Sequence, residues 1–370
     1  MDNTIERKKE RKKERIEYLD ALRGFTMILV ILNHVAAYNL GIDVFSEGNF
    51  HYYLRLFRMP LFFFVSGFVF YKASFFDDVK KIFTFIKKKF IVQIISPFIF
   101  LVFYIYYRDL PFVESIMSDT KAGYWFTFTL FNYFLLYIIA RYILKVFKIQ
   151  EQYSLIILLL IGVLLYNFSA HYYTSKIFNL PKDILYFIGA GRLHYFFFFV
   201  LGIITRKNFK QFQGALDKTL IVAIAAIVYF GFNIFTNYSE LNDFVRKNLF
   251  LLLGICGIIL VFSFFRKNEQ YFSQNNPLSN TLKFIGKRTL DIYLLHFFFL
   301  SFNLPKIFPF FTENNLPLWE FTLSLIMTAA VMVACLFISS VLRIDSTMAH
   351  YLFGAKKSYH NDACRETWNR

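Results

Sequence analysis

Long apolar runs separated by short polar stretches recur along the chain, from Leu19 to Leu342. "SLIILLLIGVLLYNF", "LIVAIAAIVYFGF" and "FTLSLIMTAAVMVACLFISSVL" are typical, and they are too long and apolar for a soluble domain. Read with the Gly, Pro, Asn and charge clusters between them, the runs predict helices near 19–40, 52–72, 89–107, 123–144, 153–170, 186–205, 219–236, 247–265, 284–302 and 318–342. The expected fold is an all-α integral membrane protein, a bundle of about ten transmembrane helices. No outer loop is long enough to form a domain, so any activity resides in the bundle.

The polar stretches orient the bundle. If the N-terminus is cytoplasmic, 30 of the 41 Lys and Arg fall in cytoplasmic segments and 7 in outer loops. This bias predicts that both termini are cytoplasmic. Three regions follow: a basic cytoplasmic N-terminal segment at 1–18, a transmembrane domain at 19–342 and a cytoplasmic tail at 343–370. No cleavable signal precedes the first span, which is expected to be retained.

The formal net charge of +16 raises the question of nucleic acid, with "RKKERKKER" at residues 7–15 as the patch. Glutamates at 6, 10, 14 and 17 interleave with it, and it adjoins the first span. It reads as a membrane-proximal anchor, and no nucleic-acid partner is expected. Cys256 and Cys335 lie in apolar runs and Cys364 in the polar tail, without metal-ligand spacing. All three read as reduced and structural, and neither a metal nor a bound cofactor is expected.

Four arginines, Arg23, Arg55, Arg58 and Arg192, fall within predicted spans. Arginine in a bilayer is costly, so it faces a cavity, a partner or a ligand. Arg23 and His34 are eleven positions apart, about 16 Å along a helix and on nearly one face. Arg55 and Arg58, three apart, suit either a grip on phosphate or carboxylate or snorkelling to outer headgroups. His194 beside Arg192, and Tyr293 and His296 in "RTLDIYLLHFFF", are site candidates or interhelical hydrogen-bond partners. Trp125 fits an interfacial belt as well as a sugar-stacking platform. His51, His171, His350 and His360 fall at edges or in loops and receive no role.

These stretches resemble the membrane-bound acyltransferase family 3, bacterial O-acyltransferases of surface polysaccharides. The resemblance runs from about Ile16 to Leu342 and is carried by "YLDALRGFTMILVILNH", "FRMPLFFFVSGF", "YWF", "RLHYFFFFVLG" and "TLDIYLLH". Its most specific mark is an arginine, ten residues and a histidine on the first helix, here Arg23 and His34.

The resemblance implies an inner-membrane enzyme that moves an acyl group from cytoplasmic acyl-CoA, with acetyl-CoA the expected donor, to a hydroxyl of a surface polysaccharide or lipid-linked glycan. It implies that Arg23 and His34 are essential, with His34 catalytic. Two departures stand out. Many relatives have a histidine where this chain has Arg58. Relatives also tend to carry arginines before a proline such as Pro97, where this chain has Lys87, Lys88 and Lys89.

Acyl transfer to a hydroxyl needs a base, positive charge for the developing oxyanion and a route for the donor. His34 is expected either to act as the base in a direct transfer or to carry the acyl group in a two-step one, with Arg23 orienting the donor and Lys87, Lys88 and Lys89 holding its nucleotide end. Arg55, Arg58, Trp125, Arg192, His194, Tyr293 and His296 are expected around the acceptor or the oxyanion. A flippase of anionic glycolipids or a polysaccharide polymerase would also use intramembrane cations.

Overall fold

A computed structural model describes residues 16, 18–47, 50–72, 76, 78–168, 181–300 and 317–355. His171, His360, Cys364, most of the N-terminal segment and the last fifteen positions lie outside them. The described residues form helices joined by turns and short irregular segments, without strands.

Among the described residues, seven helices are long and apolar enough to cross a membrane. They are α1 (Tyr18–His34) with a π turn at Val35–Asn39, α2 (Phe50–Phe70), α3 (Val79–Phe90) continued through a π turn by α4 (Ser96–Tyr107), α5 (Trp125–Val146), α6 (Glu151–Phe168), and two later spans. Beyond α7 (Phe196–Lys207) and α8 (Thr219–Phe235), those two are α9 (Asp243–Lys267) and, after α10 (Pro277–Lys287) and α11 (Thr289–Phe299), α12 (Pro317–Leu342). The helix Phe209–Leu216 meets α8 at a 75° bend and would make an eighth span if the pair counts as one. A short helix α13, Ser346–Phe353, closes the described chain.

Three predicted spans are built differently from a single rod. The third starts ten residues early: Asp78 caps α3 by accepting from the Lys80 N–H at 2.8 Å, and a π turn at Ile91–Ile95 precedes Pro97. Proline lacks the N–H that would close the preceding helical turn. The sixth is broken by Gly189, whose φ of 77° is left-handed, and by a 3₁₀ turn over Ala190–Tyr195. The ninth is split at Arg288, leaving an apolar helix of 11 residues.

Small residues let the backbones meet, as membrane bundles require. A side chain at Gly24 would overlap the Leu282 carbonyl, and one at Gly286 the Asp20 carbonyl, so α1 and α10 touch backbone to backbone. Gly67 and Gly202 do the same for α2 and α7. Between these contacts Phe63 packs against Trp125, Phe126, Tyr133 and Tyr195, with ring centroids 4.8–6.2 Å apart. Such pairs add about 0.5–1.5 kcal/mol each beyond area burial and fix α2 against α5.

Candidate active site

α11 sets the site. Its first residue, Thr289, accepts a hydrogen bond from Arg23 Nη2 at 3.2 Å, while His296, two turns on, meets His34. Arg23 precedes His34 on α1 as Thr289 precedes His296 on α11, so the two helices run in the same direction. The eleven-residue spacing on α1 therefore serves two levels of one neighbouring helix.

The histidine pair has a defined proton arrangement. His296 Nδ1 lies 2.8 Å from the Tyr293 carbonyl oxygen and 3.1 Å from that of Ile292. Carbonyls only accept, so Nδ1 carries the proton and Nε2 of the neutral ring holds a lone pair. That lone pair accepts from His34 Nδ1–H at 3.0 Å, with the rings 7° from coplanar. Among the described residues nothing partners His34 Nε2, whose lone pair is left free. His296 is fully buried, whereas His34 keeps some accessible surface. A π turn begins immediately after His34, the kind of helix irregularity found often at functional sites.

At the end of the bundle where α1 begins lies a cavity of about 590 Å³. Arg23, Lys72, Lys88, Lys89, Lys287 and Arg343 line it, with Asp291 the one carboxylate among the described residues there. Asp291 is itself engaged: Arg343 donates to it through Nε at 2.6 Å and Nη2 at 2.7 Å, and Ser339 also donates to it. This bidentate pair ties α11 to the end of α12 and engages the carboxylate, while Arg23 pairs with Asp20 outside the cavity lining. Phe126 and Tyr293 also line the cavity, whereas His34 and His296 do not. The Tyr293 hydroxyl accepts from the Phe126 N–H at 3.2 Å and donates to the Gly123 carbonyl, and its ring lies 6.0 Å from that of His296.

A family model described as an acyltransferase domain matches residues 16–337. The chain belongs to acyltransferase family 3. No curated protein and no solved structure matches it. The match covers both histidines of the pair and all of the basic cavity's lining except Arg343 and Phe353.

The acyltransferase separates the residues expected around its acceptor into distinct settings. Arg58 is buried and acts electrostatically on His34 and His51. Arg55 turns instead to Phe45 and Tyr52, its guanidinium carbon 4.5 and 5.0 Å from their ring centres. Arg192 pairs with Asp119 at 2.8 Å and lies 4.2 Å over Trp125, so Trp125 carries a guanidinium on its face. His194 packs against Tyr195 and Tyr166. Tyr293 is held by backbone groups and is a strut as well as a wall.

Lys88 and Lys89 reach the cavity and Lys87, exposed on α3, does not. Sequence reasoning missed Lys72, Lys287 and Arg343. Lys72 and Lys287 resemble any other loop cation, and only Asp291 within an apolar run hinted at a partner such as Arg343.

Proposed function

We propose that this membrane acyltransferase is an acyl-CoA-dependent O-acyltransferase, with acetyl-CoA as donor and a hydroxyl of a surface polysaccharide or lipid-linked glycan as acceptor. The observation that carries this reading is the free Nε2 lone pair of His34, fixed by His296 above a basic cavity. Arg23, Lys72, Lys88, Lys89 and Lys287 suit the phosphates of CoA as point charges, on the cytoplasmic side that the basic bias assigns to both termini. The pantetheine arm runs up past Tyr293 and Phe126 toward the histidines. The enzyme sits in the bacterial inner membrane.

In the reaction His34 Nε2 takes the proton of the acceptor hydroxyl as its oxygen attacks the thioester carbonyl. The carbon–sulfur bond breaks, and the departing CoA sulfur takes that proton back. His296 stabilises the intervening imidazolium by accepting from its Nδ1–H.

The test is full-length protein in lipid discs with radiolabelled acetyl-CoA and the glycan fraction of the host. Label in the glycan with matching release of free CoA supports the reading. Intact acetyl-CoA, together with loss of glycan export in cells lacking the gene, would replace it with a transporter.

A further inference from the structure

Of the arginines around the site, Arg55 lies over aromatic rings, Arg58 has no ionic partner among the described residues, and the others pair with carboxylates. Arg23 pairs with Asp20, Arg192 with Asp119 and Arg343 with Asp291. Arg58 is 6% exposed, and among the described residues neither its Nε nor its Nη1 has a hydrogen-bond partner. The ionisable groups that act on it are Tyr195, Arg55 and Tyr38, with no carboxylate among them. Its nearest cation, Arg55, stands one turn away on the same face of α2 and adds to the charge.

A buried guanidinium without a counterion is strongly destabilising, because its desolvation is not offset by any opposite charge. A chain that keeps one in that state needs something else to neutralise it. Oxyanion stabilisation during transfer would occupy Arg58 only for the lifetime of the transition state. A substrate anion would occupy it throughout the bound state, and its distance from His34 would then fix which hydroxyl meets Nε2.

We propose that the acceptor is an anionic sugar, one bearing a carboxylate or a phosphate, and that Arg58 binds that group so that a nearby hydroxyl lies against His34. This rests on His34 marking the acceptor end of the site. The guanidinium presents two donors to one anion in a fixed fork, a geometry that lysine lacks. Selection follows from charge: a neutral sugar leaves the buried arginine unpaired and is rejected on that ground.

The experiment uses full-length protein in discs of phosphatidylcholine, whose headgroups carry no net charge. Thermal stability is measured against methyl glucuronide, glucose 1-phosphate and methyl glucoside. The two anions should raise the melting temperature in a saturable way and the neutral glucoside should not. Arg58→Gln should weaken the anion effect at least about tenfold, and Arg58→Lys should retain part of it. Equal shifts from glucuronide and glucoside, or an anion shift that survives Arg58→Gln, would overturn the proposal.

The wild-type comparison stands even if Arg58→Gln fails to fold. With labelled acetyl-CoA, kcat/KM should favour the charged acceptors, and Arg58→Gln should erase that preference. An equal loss on charged and neutral sugars would assign Arg58 to the oxyanion instead. Anion-dependent stabilisation without any acyl transfer would sink the enzyme reading and leave the anion site standing.

Discussion

Nδ1 of His34 donates to Nε2 of His296 across 3.0 Å, and the Ile292 and Tyr293 carbonyls hold the proton on the far nitrogen of His296. Three backbone and side-chain acceptors in series thus leave one nitrogen of the pair free as a base. The arrangement needs both helices, since α1 supplies the base and α11 orients it.

His34→Ala should lower acyl transfer by about a hundredfold to ten-thousandfold, the range of a lost general base. The yield of folded protein should stay unchanged. His34→Gln can still hydrogen-bond to His296 but takes up no proton near neutral pH. Near-normal transfer by that variant, measured with labelled acetyl-CoA, would make His34 structural.

His296 acts through His34, so its removal should cost less. His296→Ala should lower kcat by about tenfold to a hundredfold, the scale of a lost orienting partner, with the KM for acyl-CoA unmoved. His296→Gln offers a carbonyl oxygen to the same Nδ1–H and should recover part of kcat. A change confined to KM would place His296 on substrate rather than on His34.

The basic cavity should announce itself through salt. Lys89→Gln combined with Lys88→Gln should raise the KM for acetyl-CoA several-fold and flatten its dependence on ionic strength. Lys87→Gln, on the exposed face of α3, should do markedly less. Equal effects from all three lysines would point to general attraction at the surface instead of a built pocket.

Backbone contact between α1 and α10 predicts a steric penalty. Gly286→Ala drives a methyl into the Asp20 carbonyl and should cost about 1–3 kcal/mol through overpacking. Transfer should also fall, because α10 leads into α11. Gly214→Ala, with open space around its new methyl, should be neutral or slightly stabilising. Thermal unfolding of the two variants in the same discs makes the comparison.

Lys121, between α4 and α5, is 1% exposed and donates to the Ile116 carbonyl at 2.8 Å. Burial, opposed by Asp119, pushes its pKa from 10.5 down to about 8. Below that value lysine is charged in both states and the folded chain bears the desolvation. Between about pH 8 and 10.5 the folded chain has released the proton while the unfolded chain still holds it, so stability rises with pH. Lys121→Gln keeps a donor for Ile116 and should lose that rise. The melting temperature of wild type, relative to the variant, should climb from pH 7 to about 9.5; parallel curves would show a lysine that stays charged.

The apolar pattern alone makes the chain a helical membrane bundle, because long apolar runs have no other stable form in lipid. It also singled out Arg23 and His34, since polar groups at two depths of one apolar helix stand out against their neighbours. Family membership was legible in the same motif. Helix continuity was less so: the breaks at Gly189 and Arg288 and the π turn before Pro97 do not alter apolar periodicity enough to be seen.

Only the tertiary structure decided what the polar residues meet. His296 could have been an isolated core histidine, and its role depends on α11 running alongside α1 in the same direction. Arg192 and Arg58 look alike in sequence, yet one finds Asp119 and the other, among the described residues, finds no carboxylate. Lys72, Lys287 and Arg343 join Arg23 from segments far apart in the chain. Partner choice across helices is set by close backbone approach at residues such as Gly24 and Gly286, and periodicity along one helix carries no information about which other helix it will touch.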